Sequence, residues 1–326
     1  MNKKNNFSKV AVVIPCYKVK SSILHVLKKI DKRITKIYVV DDDCPEKTGL
    51  YVSRNFKEKR INIIQHRKNL GVGGAVISGY QRAVRDGAEI IIKIDGDDQM
   101  DPSLMLNFIM PIISGKADYT KGNRFYNLEH VLNMPTERIF GNLILSFLTK
   151  ISSGYWNIFD PTNGYTAIHK NIIQALPLKK IDKRYFFESD ILFRLNILKA
   201  VVIDIPMPAK YGSEISNLKI SKIFFEFLIK HFRNFFKRIF YNYYLRDLSI
   251  ASFELPVALV FIMLGLYYGV NRWLYFYGAE IAAPAGVVIL PAFLIIIGVQ
   301  FLLSFLHFDI NATPVNPIYK KIEKFI

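Results

Sequence analysis

The sequence predicts an α/β domain with a mostly parallel sheet, followed by a segment that lies on a membrane and crosses it. Strand-like and helix-like segments alternate over residues 10–110, and two long uncharged runs stand towards the C-terminus. A chain of 326 residues is long enough for one large domain or two ordinary ones. We therefore divide it into an α/β domain at 1–218, amphipathic helices at 219–247 and a membrane domain at 248–326.

Four apolar runs that end in polar residues predict the strands: VAVVIPCY, ITKIYVVDDD, INIIQH and AEIIIKIDGDD. SSILHVLKKI and GGAVISGYQRAVRDG have helical spacing, and Gly87 closes the second helix. Strands that are apolar throughout are typical of a parallel sheet with helices on both faces. Such sheets bind ligands beyond the carboxyl ends of their strands. Four polar clusters are expected at that edge: Pro15–Lys18, Asp41–Asp43, His66–Gly71 and Asp95–Asp98.

Two uncharged runs predict transmembrane helices at about 248–270 and 281–305. Ile281–Phe305 exceeds the roughly 20 residues that span a bilayer. Leu255–Val270 is shorter and needs the flank that begins at Leu248 to reach full span. Two buried helices of a soluble domain are the alternative interpretation, and the length of the second run argues against it.

The basic residues predict how the membrane segment lies. The net charge is +17, and Lys219–Arg246 interleaves Lys and Arg with Phe and Tyr, as helices at a membrane interface do. The basic clusters Lys230–Arg238 and Tyr319–Lys324 flank the two spans, so both ends should face the cytosol. We therefore expect an integral membrane protein with a cytosolic α/β domain, and lipid, not nucleic acid, as the partner of the basic residues.

The segment IIKIDGDDQMDP, Ile91–Pro102, places four carboxylates at the end of a predicted strand. Like charges this close repel, so a positive partner is expected among them. Asp95 and Asp97, two residues apart on a turn, can reach one hard cation. Oxygen ligands of this kind suit Mg²⁺ or Mn²⁺ carrying a diphosphate. A calcium-binding EF-hand is excluded, because the twelfth loop position counted from Asp95 is Leu106 and not Glu.

Six motifs, in chain order, resemble those of family 2 glycosyltransferases, which have the GT-A fold with a Rossmann-like, mostly parallel sheet: VVIPCYK, VVDDDCPEKT, HRKNLGVGGAVISGYQRA, KIDGDDQMDP, KGNRF and DPTNGYTAIHK. The resemblance covers residues 10 to about 220 and is strongest to polyprenyl-phosphate glycosyltransferases similar to dolichol-phosphate-mannose synthase. The two predicted spans resemble those of bacterial members, which implies the bacterial inner or plasma membrane. The implied reaction is inverting transfer of a sugar from a UDP- or GDP-sugar to undecaprenyl or dolichyl phosphate.

The resemblance also implies roles for individual residues. Contacts with the nucleotide-sugar are implied for Pro15, Tyr17, Asp41, Asp42, Asn69, Gly71, Gly74, Asp95, Ser216 and Lys219. The metal-binding D-x-D-x-Q of the family matches Asp95, Asp97 and Gln99. Its arginines for the acceptor phosphate match Arg124 and Arg138. Catalytic roles are implied for Asp97, Asp160, Glu188 and Asp190, with Asp160 at the reacting centre.

A lipid phosphate is already largely ionised at pH 7, so its reaction needs no strong general base. Asp160 is then expected to position the acceptor or to restrain the metal. Three alternatives stay open. A transferase acting on a hydroxyl group would need a base, for which Asp190 is available. A processive polysaccharide synthase would carry Q-x-x-R-W, whereas Gly269 stands three residues before Arg272 here. A membrane-anchored lipid-binding scaffold would not be an enzyme. Relatives with two spans can assemble through them, so the sequence is compatible with a homo-oligomer.

Overall fold

The computed structural model describes residues 6–126, 136–208 and 220–322, and the side chains of residues 6, 8, 136–138 and 220–224 lie outside this description. The chain forms two compact units. The first, here called the sheet unit, consists of Met1–Phe235 and Pro314–Ile326, and the second, the hairpin unit, of Phe236–Thr313. This division differs from the predicted boundaries at 218 and 247, since the sheet unit extends into the basic helix and includes the C-terminal segment.

The sheet unit is built on one mixed sheet with the strand order β3-β2-β1-β4-β6-β5-β7. The strands are β1 Val10–Cys16, β2 Lys36–Asp41, β3 Ile61–Gln65, β4 Ile90–Lys93, β5 Tyr119–Asn123, β6 Thr166–His169 and β7 Val202–Pro206. The first four follow the predicted apolar runs and pair in parallel, as expected. β6 runs antiparallel to both β4 and β5. Because β6 is reversed, the loop that leads into it reaches the sheet at the carboxyl end of β4.

Helices cover both faces of the sheet, which confirms the predicted α/β class. They are α1 Ile23–Lys29, α2 Thr48–Asn55, α3 Val72–Arg85, α4 Met105–Ile113, α5 Thr136–Ser153, α6 Lys170–Ala175, α7 Phe187–Leu198 and α8 Ile220–Phe240. Short 3₁₀ segments occur at Asn6–Lys9, Pro102–Leu104 and Leu178–Lys180, and a π-helical segment at Tyr241–Arg246. One core contains α1, α2 and α4, and the other contains α3, α6 and α7. Alternate residues of β1 point into these two cores, which explains why the strand is apolar throughout.

The C-terminal segment is an integral part of the sheet unit. Asp118, just before β5, accepts the backbone N–H groups of Ile318 at 2.9 Å and of Tyr319 at 2.7 Å. Asn171 donates its side-chain amide to the carbonyl oxygen of Tyr319 at 2.9 Å. The Tyr319 ring also lies 4.2 Å from the ring of His169, centroid to centroid. The chain therefore leaves the sheet unit before the hairpin and returns to it afterwards, ending in the short helix α11 Tyr319–Ile322.

The hairpin unit contains two helices that are long and apolar enough to cross a membrane, judged by length and composition. They are α9 Ile250–Gly278 and α10 Ala285–Asn311, each longer than its predicted span. The two helices pack closely through glycine. A Cβ at Gly265 would lie 3.0 Å from the carbonyl oxygen of Pro291, and one at Gly298 would lie 3.0 Å from the backbone nitrogen of Ile262. Small residues at such contacts are typical of membrane helix pairs.

A buried polar group fixes the ends of the hairpin to each other. Arg238 and Asp309, each about 2% exposed, form a double hydrogen bond, with Nη1–Oδ1 at 2.5 Å and Nη2–Oδ2 at 3.0 Å. The hydroxyl of Tyr243 donates to the same carboxylate at 2.5 Å. A buried ion pair with its oxygens hydrogen-bonded in this way favours one packing arrangement, because breaking it would leave a charge without a partner.

Candidate active site

A cavity of about 1000 Å³ lies at the carboxyl ends of β1 and β4 in the sheet unit. Residues from the loops after β1, β2, β3 and β4 form its polar wall, so the polar clusters expected at this edge meet there. The predicted site residues that line it are Pro15, Tyr17, Asp42, Asn69, Gly71, Asp95, Asp97 and Glu188. Residues of α5 and α8 supply an apolar wall.

The acidic turn after β4 is fixed by short hydrogen bonds. The Asp97 carboxylate accepts the backbone N–H of Gln99 at 3.0 Å. The hydroxyl of Ser22, at the start of α1, donates to the carbonyl oxygen of Gly96 at 2.7 Å. The first bond lies within the turn and the second ties it to the start of α1, and Asp95 and Asp97 line the cavity wall.

The third carboxylate of the turn, Asp98, is directed elsewhere. Asp98 has a left-handed backbone conformation, φ +62°. Its carboxylate lies 2.6 Å from Nδ1 of His25 and accepts a hydrogen bond from Lys29 at 3.1 Å, both on α1. Asp98 is absent from the cavity lining. Of the three carboxylates in the run DGDD, Asp95 and Asp97 therefore face the cavity and Asp98 pairs with residues of α1.

Lys93, the last residue of β4, provides a positive partner for the turn within the fold. Its ammonium lies 3.1 Å from Oδ1 of Asp95 and 2.9 Å from Oε1 of Glu188. Lys93 is only 1% exposed. Burial by itself lowers its pKa, but the charges of Asp95 and Glu188 outweigh burial and raise the pKa above the usual lysine value. The lysine is therefore charged, and it joins two carboxylates that line the cavity.

Asp42 shapes the loop that borders the cavity. One oxygen accepts the backbone N–H of Leu70 at 2.8 Å and lies 2.7 Å from Nδ1 of His66. The other accepts the N–H of Gly71 at 2.8 Å. Gly71 has φ +85°, and a Cβ there would collide with the carbonyl oxygen of Lys183, so only glycine fits. The chain segment that approaches this glycine is thus the protein's own loop before α7.

Asp160 and Arg124 lie outside the cavity lining and pair with each other. Asp160 is fully buried, and its carboxylate accepts hydrogen bonds from Arg124 Nε at 2.7 Å and Nη2 at 2.9 Å. Burial raises the pKa of Asp160, but the hydrogen bonds and charge of Arg124 outweigh burial and bring the pKa below its usual value. Each group is the ion-pair partner of the other. The roles implied for them, at the reacting sugar and at the acceptor phosphate, stay predictions. Thr162 connects the pair to the cavity wall, since its hydroxyl lies 3.1 Å from Arg124 Nη2.

Asp190 is engaged in hydrogen bonds with α7, α8 and the loop before α7. It is fully buried in α7 and absent from the cavity lining. One oxygen accepts the backbone N–H of Asp182 at 2.9 Å and Nε of Arg194 at 3.0 Å. The other accepts the side-chain amide of Asn234 at 2.9 Å. The carboxylate therefore holds the loop before α7 and part of α8, and its catalytic role stays a prediction.

Asp41 and Gly74 form hydrogen bonds within the protein, and their expected contacts with a nucleotide-sugar stay predictions. Asp41 is fully buried and accepts the backbone N–H groups of Cys44 at 2.8 Å and Gly49 at 2.7 Å. These bonds fix the turn between β2 and α2. Gly74 donates its N–H to the carbonyl oxygen of Lys183 at 3.1 Å. Neither residue lines the cavity.

Other predicted residues are not brought to the cavity by the described part of the chain. Gln99 lies on the acidic turn, but only its backbone contact with Asp97 is formed, and it is absent from the cavity lining. Ser216 and Lys219 lie outside the described residues. The side chain of Arg138 also lies outside them, although its backbone belongs to α5.

Sequence reasoning missed several residues of the cavity. The sequence offers one indication for Lys93, because a lysine within the run IIIKI is unusual in a buried strand. No sequence pattern indicates Arg184 and Tyr185, which are exposed residues of the loop before α7. The apolar wall consists of Ile144, Leu145, Leu148 and Phe227, in segments whose packing the sequence did not reveal.

The donor chemistry of the acidic turn fits a divalent metal ion. Asp95 and Asp97 offer carboxylate oxygens on the cavity wall. Within the described residues there is no group of three or more His, Cys, Asp or Glu side chains that would hold a metal by itself. Mg²⁺ and similar ions commonly use one or two carboxylates, with water and substrate phosphates as the other ligands. The site therefore fits an ion that binds together with a diphosphate.

The sheet, the reversed β6 and the acidic turn on a cavity define a GT-A-type α/β domain. The chain belongs to glycosyl transferase family 2, whose sequence profile matches residues 11–176. It is therefore a glycosyltransferase, as the motifs predicted.

Curated relatives of this chain carry names that specify a lipid-phosphate acceptor. It is 28% identical over 216 residues to a UDP-N-acetylglucosamine–dolichyl-phosphate N-acetylglucosaminyltransferase of Methanococcus voltae, covering 62% of this chain and 86% of the relative. It is 26% identical over 203 residues to an undecaprenyl-phosphate mannosyltransferase of Micrococcus luteus, covering 61% and 82%. A dolichol-phosphate mannosyltransferase of Pyrococcus furiosus is 27% identical over 232 residues, covering 68% and 62%.

A solved structure supports the fold. Glucosyl-3-phosphoglycerate synthase from Mycobacterium tuberculosis, in complex with Mn²⁺, uridine diphosphate and phosphoglyceric acid, superposes with a TM-score of 0.54 at 13% identity. The match covers 72% of this chain and 80% of that chain. At this identity the likeness concerns the fold alone, and it agrees with the sheet topology described above.

Proposed function

We propose that this protein is an inverting, metal-dependent glycosyltransferase that moves a sugar from a UDP- or GDP-sugar to a polyprenyl phosphate at a membrane surface. The product would be a sugar linked to lipid monophosphate, for glycan assembly or modification. The observation that carries the proposal is the position of Asp95 and Asp97, which line a cavity at the carboxyl edge of the sheet in a family 2 domain. The names of the relatives, with dolichyl and undecaprenyl phosphate as acceptors, support the acceptor class.

On the donor side, the chain offers charges of both signs at the cavity. Asp95 and Asp97 would hold Mg²⁺ or Mn²⁺, and such an ion stabilises the charge that develops on a leaving nucleoside diphosphate. Arg184 is exposed on the cavity wall, and a guanidinium suits phosphate oxygens because it donates two parallel hydrogen bonds. The Asp42–Gly71 loop and Tyr17 would border the nucleoside.

On the acceptor side, the apolar wall supports a lipid. Ile144 of α5 lines the cavity and is itself 50% exposed, while Phe140 and Phe147 on the same helix are 62% and 57% exposed. Exposed aromatic residues also occur on α8, as at Phe232. An apolar stripe that continues from a cavity wall to an exposed helix face suits an acyl or prenyl chain at a membrane interface. The phosphate needs no base. Asp190, the base that a hydroxyl acceptor would require, is buried and hydrogen-bonded to Asn234, which favours the phosphate acceptor.

The two helices α9 and α10 support anchoring in a membrane, because both are long and apolar enough to cross it. The basic residues that flank these helices, such as those of Lys230–Arg238, favour the cytosolic side of a bacterial inner or plasma membrane.

The experiment is a screen of UDP- and GDP-sugars with the purified full-length protein and undecaprenyl phosphate, with Mg²⁺, with Mn²⁺ or with a chelator. Lipid-linked sugar that forms only with a divalent ion is the expected result. A protein that binds the lipid but forms no product with any donor would instead be a lipid-binding scaffold. Product from a hydroxyl acceptor alone would contradict the proposed acceptor.

A further inference from the structure

An ion cluster at the cavity connects two distant parts of the chain. It consists of Lys93, Asp95 and Glu188 and is here called the Lys93 cluster. Lys93 ends β4, Asp95 begins the acidic turn, and Glu188 lies in the first turn of α7. The ammonium lies within 3.1 Å of Asp95 and 2.9 Å of Glu188. Both carboxylates and the lysine line the cavity, so this ion triad belongs to the surface that a ligand meets.

The charge of the cluster bears directly on any cation that binds there. Two carboxylates and one ammonium leave the cluster with one net negative charge. Lys93 is 1% exposed, so water screens its charge poorly. A buried ammonium beside the ligands of a divalent ion repels that ion, while it also holds the carboxylate of Asp95 in one orientation.

The packing around the Lys93 cluster fixes the position of the lysine ammonium. A Cβ on Gly164 would collide with the Lys93 ammonium and would lie 2.5 Å from Oδ2 of Asp95. Gly164 stands just before β6, and its neighbour Thr166 pairs with Lys93 across the sheet. The backbone at Gly164 thus closes one side of the Lys93–Asp95 pair, and a glycine is needed there because the ammonium occupies the space of a side chain.

We propose that Lys93 is a positioning residue of the transferase site, which joins Asp95 to Glu188 and sets the net charge that the divalent ion meets. The inference rests on the proposed function, because it assumes that Asp95 and Asp97 hold a metal. In the bound state, Lys93 keeps one oxygen of Asp95 engaged, and Glu188 anchors Lys93 in turn. Asp95 and Asp97 would hold the ion, which would supply positive charge to the leaving diphosphate, and Lys93 would set the orientation of Asp95 and the charge of the site.

The test is a double-mutant cycle on Mn²⁺ binding to the full-length protein, measured by calorimetry with UDP present at pH 8. Lys93→Met makes the cluster more negative, and we expect its Mn²⁺ dissociation constant to fall about tenfold. Glu188→Gln makes the cluster neutral and should raise the constant about tenfold. The double variant Lys93→Met/Glu188→Gln has the wild-type net charge and should return to within about threefold of the wild-type constant.

Turnover should respond differently from metal affinity. Lys93→Met is expected to reduce kcat about 100-fold despite binding Mn²⁺ more tightly, because Asp95 loses its anchor. Lys93→Arg keeps the charge and should retain Mn²⁺ binding within about threefold, while its larger head group must displace Asp95 in the closed space beside Gly164 and should lower kcat. Gly164→Ala changes no charge but displaces the ammonium, and should lower kcat about tenfold while Mn²⁺ affinity changes by less than about threefold.

The outcomes separate this inference from the function on which it rests. If wild-type protein takes up no Mn²⁺ with UDP, nor with GDP in a repeat of the titration, the metal-dependent function fails and the inference fails with it. If wild-type protein binds Mn²⁺ but all variants bind it more weakly, in proportion to their loss of thermal stability, Lys93 is a structural ion pair only. The predicted order, with Lys93→Met tightest, wild type and the double variant between, and Glu188→Gln weakest, supports the positioning role.

Discussion

The guanidinium of Arg124 and the carboxylate of Asp160 form a two-point ion pair, with Nε–Oδ2 at 2.7 Å and Nη2–Oδ1 at 2.9 Å. Asp160 is completely buried in this pair. Two residues that family motifs place at the reaction thus stabilise each other next to the cavity, and Thr162 carries their contact to its wall. The pair fixes the loop that leads into the reversed strand β6.

Removing the arginine should destabilise the protein. Arg124→Ala leaves a fully buried carboxylate without its cation, which costs on the order of 3 kcal/mol. The free energy of unfolding, or the midpoint of thermal unfolding in detergent, measures this loss. Arg82→Ala is the matched control, because the Arg82–Asp86 pair is exposed and should contribute less than about 1 kcal/mol. Equal losses in the two variants would contradict the structural role of the Arg124–Asp160 pair.

The phosphate-binding role of Arg184 can be tested next to an internal control. Arg184→Ala removes the cavity-lining guanidinium and should raise KM for the nucleotide-sugar or the lipid phosphate about tenfold or more. Lys183→Ala removes an exposed charge from the adjacent residue, which does not line the cavity, and should leave both KM values within about twofold. Steady-state kinetics with each substrate varied separately distinguishes donor from acceptor. Unchanged KM values in Arg184→Ala would exclude this residue from both sites.

The docked C-terminal segment should contribute to the stability of the sheet unit. Tyr319→Ala removes a buried ring that stacks on His169 and a hydroxyl that donates to the carbonyl oxygen of Ile112 at 3.2 Å. We expect a loss of about 3 kcal/mol and a corresponding fall in the thermal midpoint. Lys321→Ala, two residues further on and exposed, should leave the midpoint unchanged. A Tyr319→Ala protein as stable as Lys321→Ala would show that the segment does not hold the fold.

Protonation of His169 at acidic pH should loosen the C-terminal segment. Burial lowers the pKa of His169 from 6.5 to about 4, and its Nδ1 accepts the backbone N–H of Asn171 at 3.2 Å. Between these two pKa values the unfolded chain binds a proton that the folded chain does not, so stability falls as the pH falls through this window. Limited proteolysis of the C-terminal segment should therefore increase from pH 6.5 towards pH 4. His169→Gln should flatten that dependence, whereas His25→Gln, at an exposed histidine, should not.

The sequence predicted the fold best where physical periodicity was strongest. The four apolar runs form β1–β4, and the two uncharged runs form α9 and α10. These elements are predictable because the burial of a strand and the length of a membrane span both follow from the length and pattern of apolar residues. The reversed strand β6 was not foreseen. Its run TAIH is only four residues long, and its direction depends on pairing with β4 and β5, which no local pattern encodes.

For the candidate site, the motifs predicted the location of several residues, and the roles implied for them stay predictions. Asp95, Asp97 and Asp42 line the cavity as expected. Asp190 does not, because its use depends on partners far away in the chain, such as Asn234. The role of Lys93 could not be predicted for the same reason, because its partner Glu188 lies 95 residues further along the chain. Arg184 was missed because nothing in the chain marks which exposed loop residue folds over a cavity.

The central claim is that Asp97 acts in metal-assisted transfer of a sugar to polyprenyl phosphate. Its most direct test compares Asp97→Asn with Asp98→Asn in the lipid-product assay with Mn²⁺. The two carboxylates are neighbours, but only Asp97 lines the cavity, while Asp98 pairs with His25 and Lys29. We predict that Asp97→Asn, folded by circular dichroism, loses at least about 1000-fold in product formation, and that Asp98→Asn keeps more than about a third of it. Wild-type turnover in Asp97→Asn would contradict the account.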